Sequence, residues 1–385
     1  MAAPLEGLKV LELARVLAGP WIGQTLADLG AEVIKVESPE GDDTRHWGPP
    51  WIEHDDGSRT AAYFYSCNRG KRSVIADFRT REGRELVHRL AADSDVLIEN
   101  FKLDGLKKYG LDYDSIKTDN PRLIYCSVTG FGQDGPYAAR AGYDLMIQAM
   151  GGIMDLTGEA DRPPQKMGMA YADIFTGLYG VIAIQAALAQ RTKTGQGQHL
   201  DMALLDSMVG VLGNQAMNYL VTGQSPTRMG TAHPNIVPYQ DFPASDGHLI
   251  IACGNDRQFE RLCELLGLDL HQDPRFATNE ARVENRATLI ERLQEETRRN
   301  TRDALLGQLE EKGIPAGPIN TVGQALEDVQ TRHRDMVINA GGVAGIRTPI
   351  RFSNAELALD KGAPRLGEDT DEILRELDLP KPPAD

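Results

Sequence analysis

A single carboxylate, Asp173, stands among small and apolar residues in Ala170-Tyr171-Ala172-Asp173-Ile174-Phe175-Thr176-Gly177, directly before the apolar segment 178–189. An Asp at a helix start ordinarily serves as N-cap and accepts hydrogen bonds from the first free backbone N–H groups. The same place suits an anionic nucleophile, because a helix N-terminus favours negative charge. On this stretch alone both readings stay open. Other chemistries are poorly provided for. There is no HExxH, no Cys/His cluster at zinc spacing and no EF-hand loop, so no metal is expected. No G-x-S-x-G elbow is present. The basic turn Asn68-Arg69-Gly70-Lys71-Arg72 lacks the first glycine of a P-loop, since Tyr65 occupies that position.

The elements that would carry Asp173 read as an α/β fold. Residues 8–13 form a short strand, 15–20 a loop, 21–29 a helix stopped by Gly30, and 32–37 a second strand. Such a β-loop-α-β unit predicts a parallel sheet. Its turn holds Gly19 and Gly23 with Pro20 between, not G-x-G-x-x-G. A nicotinamide dehydrogenase is therefore weakly supported, although Glu37 at the second strand end would suit a ribose. Further strands are expected over 73–78, 96–101 and 123–128. Ligands of open α/β sheets gather at the carboxyl ends of the strands. Arg15, Arg79, Asn100, Lys102 and the 129–144 loop are thus candidates for one rim, with Lys107-Lys108 a turn further on. Trp47 and Trp51, in the proline-rich loop 38–60, read either as a lid or substrate wall or as rings pinning the loop to the core. From about 223 the texture changes. A small antiparallel pair around Ser245-Asp246-Gly247 precedes three amphipathic helices, which predicts a smaller α+β domain over 223–322. The larger domain is expected over 1–222, completed by 323–385.

Composition narrows the partners. The 385 residues carry a formal net charge of −15, so nucleic acid and anionic membrane are not expected. No apolar run near 18 residues stands out, and residues 1–7 lack a basic stretch followed by an apolar one. Neither a membrane span nor a signal peptide is expected. Four cysteines without a CxxC spacing predict free thiols in a reducing, cytoplasmic setting.

In order along the chain, LKVLELARVLAGP (8–20), GAEVIKVE (30–37), NRGKRSV (68–74), VLIENF (96–101), Gly142-Tyr143-Asp144, MAYADIFTG (169–177), TGQGQHLDMALL (194–205), 233–239, 313–318 and 366–370 resemble the class III coenzyme A-transferases, the family of formyl-CoA transferase and carnitine CoA-transferase. The resemblance implies a Rossmann-like large domain, a smaller α+β domain and an interlocked homodimer. It implies that Asp173 is the nucleophile. CoA would contact Leu17, Ala18, Arg79, Asn100, Phe101, Lys102, Lys108, Ala141, Tyr143 and Asp144. An acyl-CoA thioester would be substrate, with no permanently bound cofactor, and a small carboxylic acid would be acceptor. The chain departs from formyl-CoA transferase at Leu17, where that enzyme has Gln, at Lys108, which replaces an Arg, and in lacking its glycine-rich lid loop within 230–260. The stretches at 143–144, 169–176 and 233–239 look most similar to the succinyl-CoA:glutarate (hydroxymethylglutarate) branch. By motif position Arg15, Arg45 and Lys102 are the nearest cations for an acceptor carboxylate, with Trp47, His233 and Tyr239 as further substrate contacts. Two alternatives stand beside this. An acyl-CoA racemase of the same superfamily would carry His where Tyr143 stands, to exchange an α-proton. A non-catalytic CoA-binding protein would use Asp173 only as a cap.

Overall fold

The computed structural model describes residues 2–380, so residues 1 and 381–385 of the expected large domain lie outside the described residues. The chain runs β1 (Lys9–Glu12), α1 (Ala18–Asp28), β2 (Glu32–Glu37), β3 (Trp51–Glu53), β4 (Arg59–Ala61), α2 (Ala62–Tyr65), β5 (Lys71–Ile75), α3 (Arg81–Ala92), β6 (Val96–Glu99), α4 (Tyr113–Ile116), β7 (Ile124–Thr129), α5 (Asp144–Met150), α6 (Ile153–Leu156), α7 (Tyr171–Thr194), β8 (Gln198–Ala203), α8 (Leu204–Gly210) and α9 (Asn214–Thr222). It continues through β9 (Tyr239–Ala244), β10 (Gly247–Ala252), α10 (Asp256–Leu266), α11 (Asn279–Glu284), α12 (Arg286–Thr297), α13 (Arg302–Glu311), β11 (Ala316–Pro318), α14 (Val322–Glu327), α15 (Val329–His333), β12 (Val337–Ala340), β13 (Val343–Ile346) and α16 (Thr370–Glu376). Two compact units emerge. The larger comprises everything up to Ile153, Lys166–Met217 and everything from Val329 onward. The smaller comprises Met154–Gln165 and Asn218–Asp328.

The larger unit holds a six-stranded sheet in the order β5-β2-β1-β6-β7-β8, with all neighbouring pairs parallel. A parallel sheet covered on both faces needs apolar residues on both sides of each strand. Val10, Val33, Val96, Ile98 and Ile124 face Ile22, Leu26, Val181 and Ile184 of α1 and α7. Their neighbours Leu11, Val36, Val74, Leu97 and Tyr125 face Leu86, Val87 and Leu90 of α3 and Ile373 and Leu374 of α16. Chain order reverses between β1 and β6, so both strands release their carboxyl-end loops at a topological switch point. In a doubly wound sheet that crevice is where a ligand enters.

Close helix packing sets the depth of this crevice. A Cβ on Gly177 would lie 3.1 Å from the Ala18 carbonyl oxygen, and one on Gly180 2.4 Å from Ile22. The two missing side chains let α7 lie directly on α1, which sets the start of α7 beside the start of α1.

The length and composition of α7 are those of a bilayer-spanning helix, which corrects the expectation that no apolar segment approaches that length. Here Ala172, Thr176, Gly177, Gly180, Val181, Ile184 and Ala187 are buried inside the protein. The loop expected over 38–60 contains the hairpin β3–β4.

In the smaller unit the antiparallel order is β11-β10-β9. Phe242, Leu249 and Ile251 pack with Phe259, Leu262, Leu289, Leu293, Leu305 and Leu309 of α10, α12 and α13.

Candidate active site

Three loops build the crevice. The first, after β1, carries Arg15-Val16-Leu17. Val16 has φ +71°, a backbone region that a β-branched residue enters only under constraint. The constraints are visible. The Val16 amide donates to Asp42 Oδ2 at 3.2 Å. The Arg15 amide donates to Asn100 Oδ1 at 2.8 Å, and Asn100 Nδ2 donates back to the Arg15 carbonyl at 2.6 Å. The Asn100 side chain is thereby engaged with the first loop.

Behind this loop lies a buried charge network. Glu12, fully buried, meets Lys35 Nζ at 3.0 Å and Lys71 Nζ at 2.8 Å. Lys35 also pairs with Asp42 at 3.0 Å. The network joins the carboxyl end of β1 to the middle of β2 and the start of β5, so these neighbouring strands are tied by charge as well as by the sheet.

The second loop follows β6 and carries Asn100-Phe101-Lys102. The third follows β7, and there Gly130 and Gly142 meet backbone to backbone. A Cβ on Gly142 would lie 2.4 Å from Gly130 Cα, so only paired glycines let the 138–143 segment fold back over the strand end. The resulting cavity of about 470 Å³ has a size suited to a small-molecule ligand. Its walls include Leu17, Ala18, Phe101, Ala141, Tyr143 and Asp173, and four cations: Arg15, Lys102, Lys108 and Arg140.

Asp173 is the third residue of α7, and the N-cap residue is Ala170, which makes no side-chain cap bond. The reading of Asp173 as a cap is therefore corrected. The capping carboxylate is Asp144, whose Oδ1 accepts from the Ala172 amide at 2.8 Å. Its other oxygen accepts from Gln148 Nε2 at 2.7 Å. Asp173 is left half-buried at the cavity wall. Burial, and then the negative charge of Asp144, push its carboxyl up to about 7. Near neutrality its ionised fraction is accordingly set by pH.

Other candidates take different places. Arg45 is buried against Glu37, with Nη2–Oε1 at 2.7 Å and Nε–Oε2 at 2.8 Å, and its guanidinium lies 3.7 Å from the Phe64 ring centroid. It is a structural ion pair and is not in the cavity wall. The same contacts show why Glu37 is no ribose ligand. Arg79 is exposed and pairs with Asp77 at 2.8 Å. Trp47 is exposed, its ring edge on Tyr63 at 5.3 Å. His233 and Tyr239 belong to the smaller unit, their rings 5.2 Å apart.

Three residues were missed by the sequence reading. Val16 lines the cavity through a strained backbone that no composition signal announces. Arg140 stands in the 129–144 loop, a rim candidate as a whole in which no signal singles out this residue. Tyr63 feels the charge of Asp173, and burial with that charge raises its phenol to about 12, so it remains a hydrogen-bond donor at every physiological pH.

Fold and site define a doubly wound α/β protein with an ionisable carboxylate and convergent cations in its switch-point crevice. Residues 5–370 match the model of CoA-transferase family III. The chain is 53% identical to a succinate–glutarate CoA-transferase from Agrobacterium fabrum, over 97% of this chain and 96% of that one. It is 42% identical to a succinyl-CoA:glutarate CoA-transferase from Mus musculus, over 97% and 86%. A crystal structure of a CAIB/BAIF family protein from Brucella suis superposes with a TM-score of 0.89 at 66% identity, covering 98% of this chain and all of that one. The chain belongs to CoA-transferase family III, and it is an enzyme of that class.

Proposed function

We propose that this enzyme moves CoA from succinyl-CoA to a dicarboxylic acceptor such as glutarate, with Asp173 as covalent nucleophile. The observation that carries this reading is an Asp173 carboxylate in the same crevice wall as Arg15, Lys102, Lys108 and Arg140. In a chain of net charge −15, such a cluster of cations favours an anionic ligand locally. CoA, bearing phosphates, lies along Leu17, Ala18, the 100–102 turn, Lys108, Arg140, Ala141 and Tyr143. Arg15 or Lys102 receives the acceptor carboxylate, and an Arg does so by a two-pronged bond. The names of the curated relatives support succinate and glutarate as the acids.

Asp173 Oδ attacks the thioester carbonyl. The C–S bond breaks, CoA leaves as thiolate, and a succinyl-aspartyl anhydride remains. The thiolate attacks Asp173 Cγ, which releases succinate and leaves an aspartyl-CoA thioester. The acceptor carboxylate displaces CoA from Cγ to form a second anhydride. Thiolate attack on the acceptor's acyl carbon then restores the Asp173 carboxylate. One thioester is consumed and one is made, so no external energy source is required. Tyr171 and Phe175, whose rings pack at 4.4 Å, shield the anhydride from water.

Two chains interlock as a homodimer, a reading supported by the exposed Leu178, Tyr179 and Ile182 on α7. The buried, free thiols of Cys67, Cys126, Cys253 and Cys263 support a reducing, cytoplasmic setting.

The deciding experiment incubates the enzyme with succinyl-CoA and hydroxylamine. Mass spectrometry is expected to find hydroxamate at Asp173, and Asp173→Ala is expected to lose at least about 10³-fold in kcat. An unlabelled Asp173 together with an active Asp173→Ala variant would overturn the reading.

A further inference from the structure

Behind the crevice lies a second cavity of about 230 Å³, and the two share one wall, formed by Phe101, Lys102, Leu103 and Gly105. On the far side of that wall Glu99 is 6% exposed at the end of β6. Its Oε2 accepts from the Phe101 amide at 2.8 Å, and Ser127 is its side-chain hydrogen-bond partner. The Ser127 hydroxyl lies 2.8 Å from His199 Nε2. The His199 ring stacks on Tyr113 at 5.0 Å. Glu99, Ser127 and His199 thus form one hydrogen-bonded chain crossing β6, β7 and β8.

What the chain supports is the substrate side of the wall. Glu99 holds the Phe101 amide. The Phe101 ring lies under the Arg15 guanidinium at 5.6 Å. The adjacent Asn100 clamps the Arg15 backbone from both sides. Any slackening at Phe101 therefore reaches Arg15 and Lys102 together.

We infer that Glu99 is a positioning residue for the thioester crevice, and that loss of a proton from the Glu99–Ser127–His199 chain tightens the 100–102 turn and with it the grip on CoA. The inference rests on the crevice being the CoA site. The chain has two complete hydrogen-bond arrangements. With Glu99 protonated, its O–H donates to Ser127 Oγ and the Ser127 O–H donates to His199 Nε2. With Glu99 ionised, the Ser127 O–H turns to the carboxylate and His199 donates from Nε2. The imidazole is neutral in both, and the proton leaves to solvent. An ionised acceptor makes the stronger, charge-assisted bond to the Phe101 amide.

Burial pushes Glu99 up to about 7, against the bonds from Ser127 and the Phe101 amide and with the charge of Asp201, so the exchange falls in the working range. Burial lowers His199, while Asp201 and Asp114 raise it. Glu99 is also coupled to Tyr125 and Cys126 of β7. Lys102, Asp104, Lys107 and Asp112 from the segment after β6, and Asp114 of α4, line the same cavity.

The test measures CoA binding calorimetrically to the full-length Asp173→Asn protein, in which the other crevice group titrating near neutrality is removed. Between about pH 6 and about pH 8.5 the Kd is expected to tighten about three- to tenfold, the difference between a neutral and a charge-assisted bond. Adding Glu99→Gln is expected to hold binding at the weaker limit and remove that pH-dependent gain, leaving only the titration of CoA's own phosphate. Adding Ser127→Ala instead is expected to move the midpoint to higher pH, because a bond favouring the carboxylate is lost. The Ser127→Ala curve carries the test alone if Glu99→Gln does not fold. Unchanged affinity and an unchanged profile in Glu99→Gln, or an unmoved midpoint in Ser127→Ala, overturns the inference while leaving the CoA site intact. No CoA binding at any pH overturns the site and the inference together.

Discussion

Asp173 sits at the third position of its helix, next to an amide whose partner is another carboxylate. That neighbour, Asp144, caps Ala172 and raises Asp173 at the same time. If Asp173 is the nucleophile, it must be ionised to attack, so anhydride formation at saturating thioester is expected to rise with pH and level off above about 7. Asp144→Asn keeps a capping oxygen and removes the like charge. Its rapid-quench pH profile is expected to shift to lower pH, and a profile that does not move would show that Asp144 has no electrostatic hold on Asp173. The same shift acts on stability. A carboxyl whose folded pKa exceeds its unfolded value of about 3.9 disfavours the fold above the folded pKa and is neutral below the unfolded one. Above pH 7, Asp173 therefore costs the protein stability that it recovers as pH falls.

At the scale of elements, the spacing between α1 and α7 places Asp173 beside Leu17 and Ala18. Gly177 lets the helices approach, since a Cβ there already crowds Trp21 at 3.1 Å. Gly177→Val is expected to cost about 1–3 kcal/mol through overpacking, seen as a lower urea midpoint, and to raise the KM for the acyl-CoA substrate by moving the α7 start away from the first loop. The packing of β1, β2 and β5 depends on the buried charges. Glu12→Gln would leave two buried ammonium groups, of Lys35 and Lys71, without the carboxylate they share. Removing one partner of a buried pair costs about 3–5 kcal/mol. Chemical denaturation is expected to show that loss, and Glu12→Gln combined with Lys71→Met to recover part of it. A double variant no better than the single would refute the coupling.

For the whole molecule, the exposed face of α7 is one apolar surface that a single chain leaves uncovered. Ile182 is 61% exposed on a helix whose opposite face is core. If two chains interlock across this face, light scattering of the wild type gives twice the chain mass. Ile182→Glu, which places a charge in the apolar contact, is then expected to shift the population toward monomer. A monomeric wild type would sink the dimer reading. The tail is built into the larger unit. The Ser73 amide donates to Asp369 at 2.8 Å and Arg72 pairs with Glu376 at 2.8 Å, so residues about 300 positions apart close the β5 edge.

Local pattern by itself marked β1, β2, β5, β6, β7 and the β9–β10 pair, because each alternates or runs apolar over a few residues, whereas short strands such as β3, β4 and β11 are too brief to show a period. The second strand, at 32–37, coincides with β2. Pattern also marked the carboxyl-end loops and Asp173, whose setting between small residues before a long apolar helix is a local fact. The family motifs, being contiguous, were legible for the same reason. Only the tertiary structure decided which charged residues face the crevice. Arg15 and Arg45 look alike in sequence, yet one lines the cavity and the other is folded inward onto Glu37. Capping of α7 comes from a residue 28 positions earlier, and the chain from Glu99 through Ser127 to His199 spans three strands. Such contacts arise from sheet order and register, which bring distant side chains within hydrogen-bond reach and leave no periodic trace along the chain.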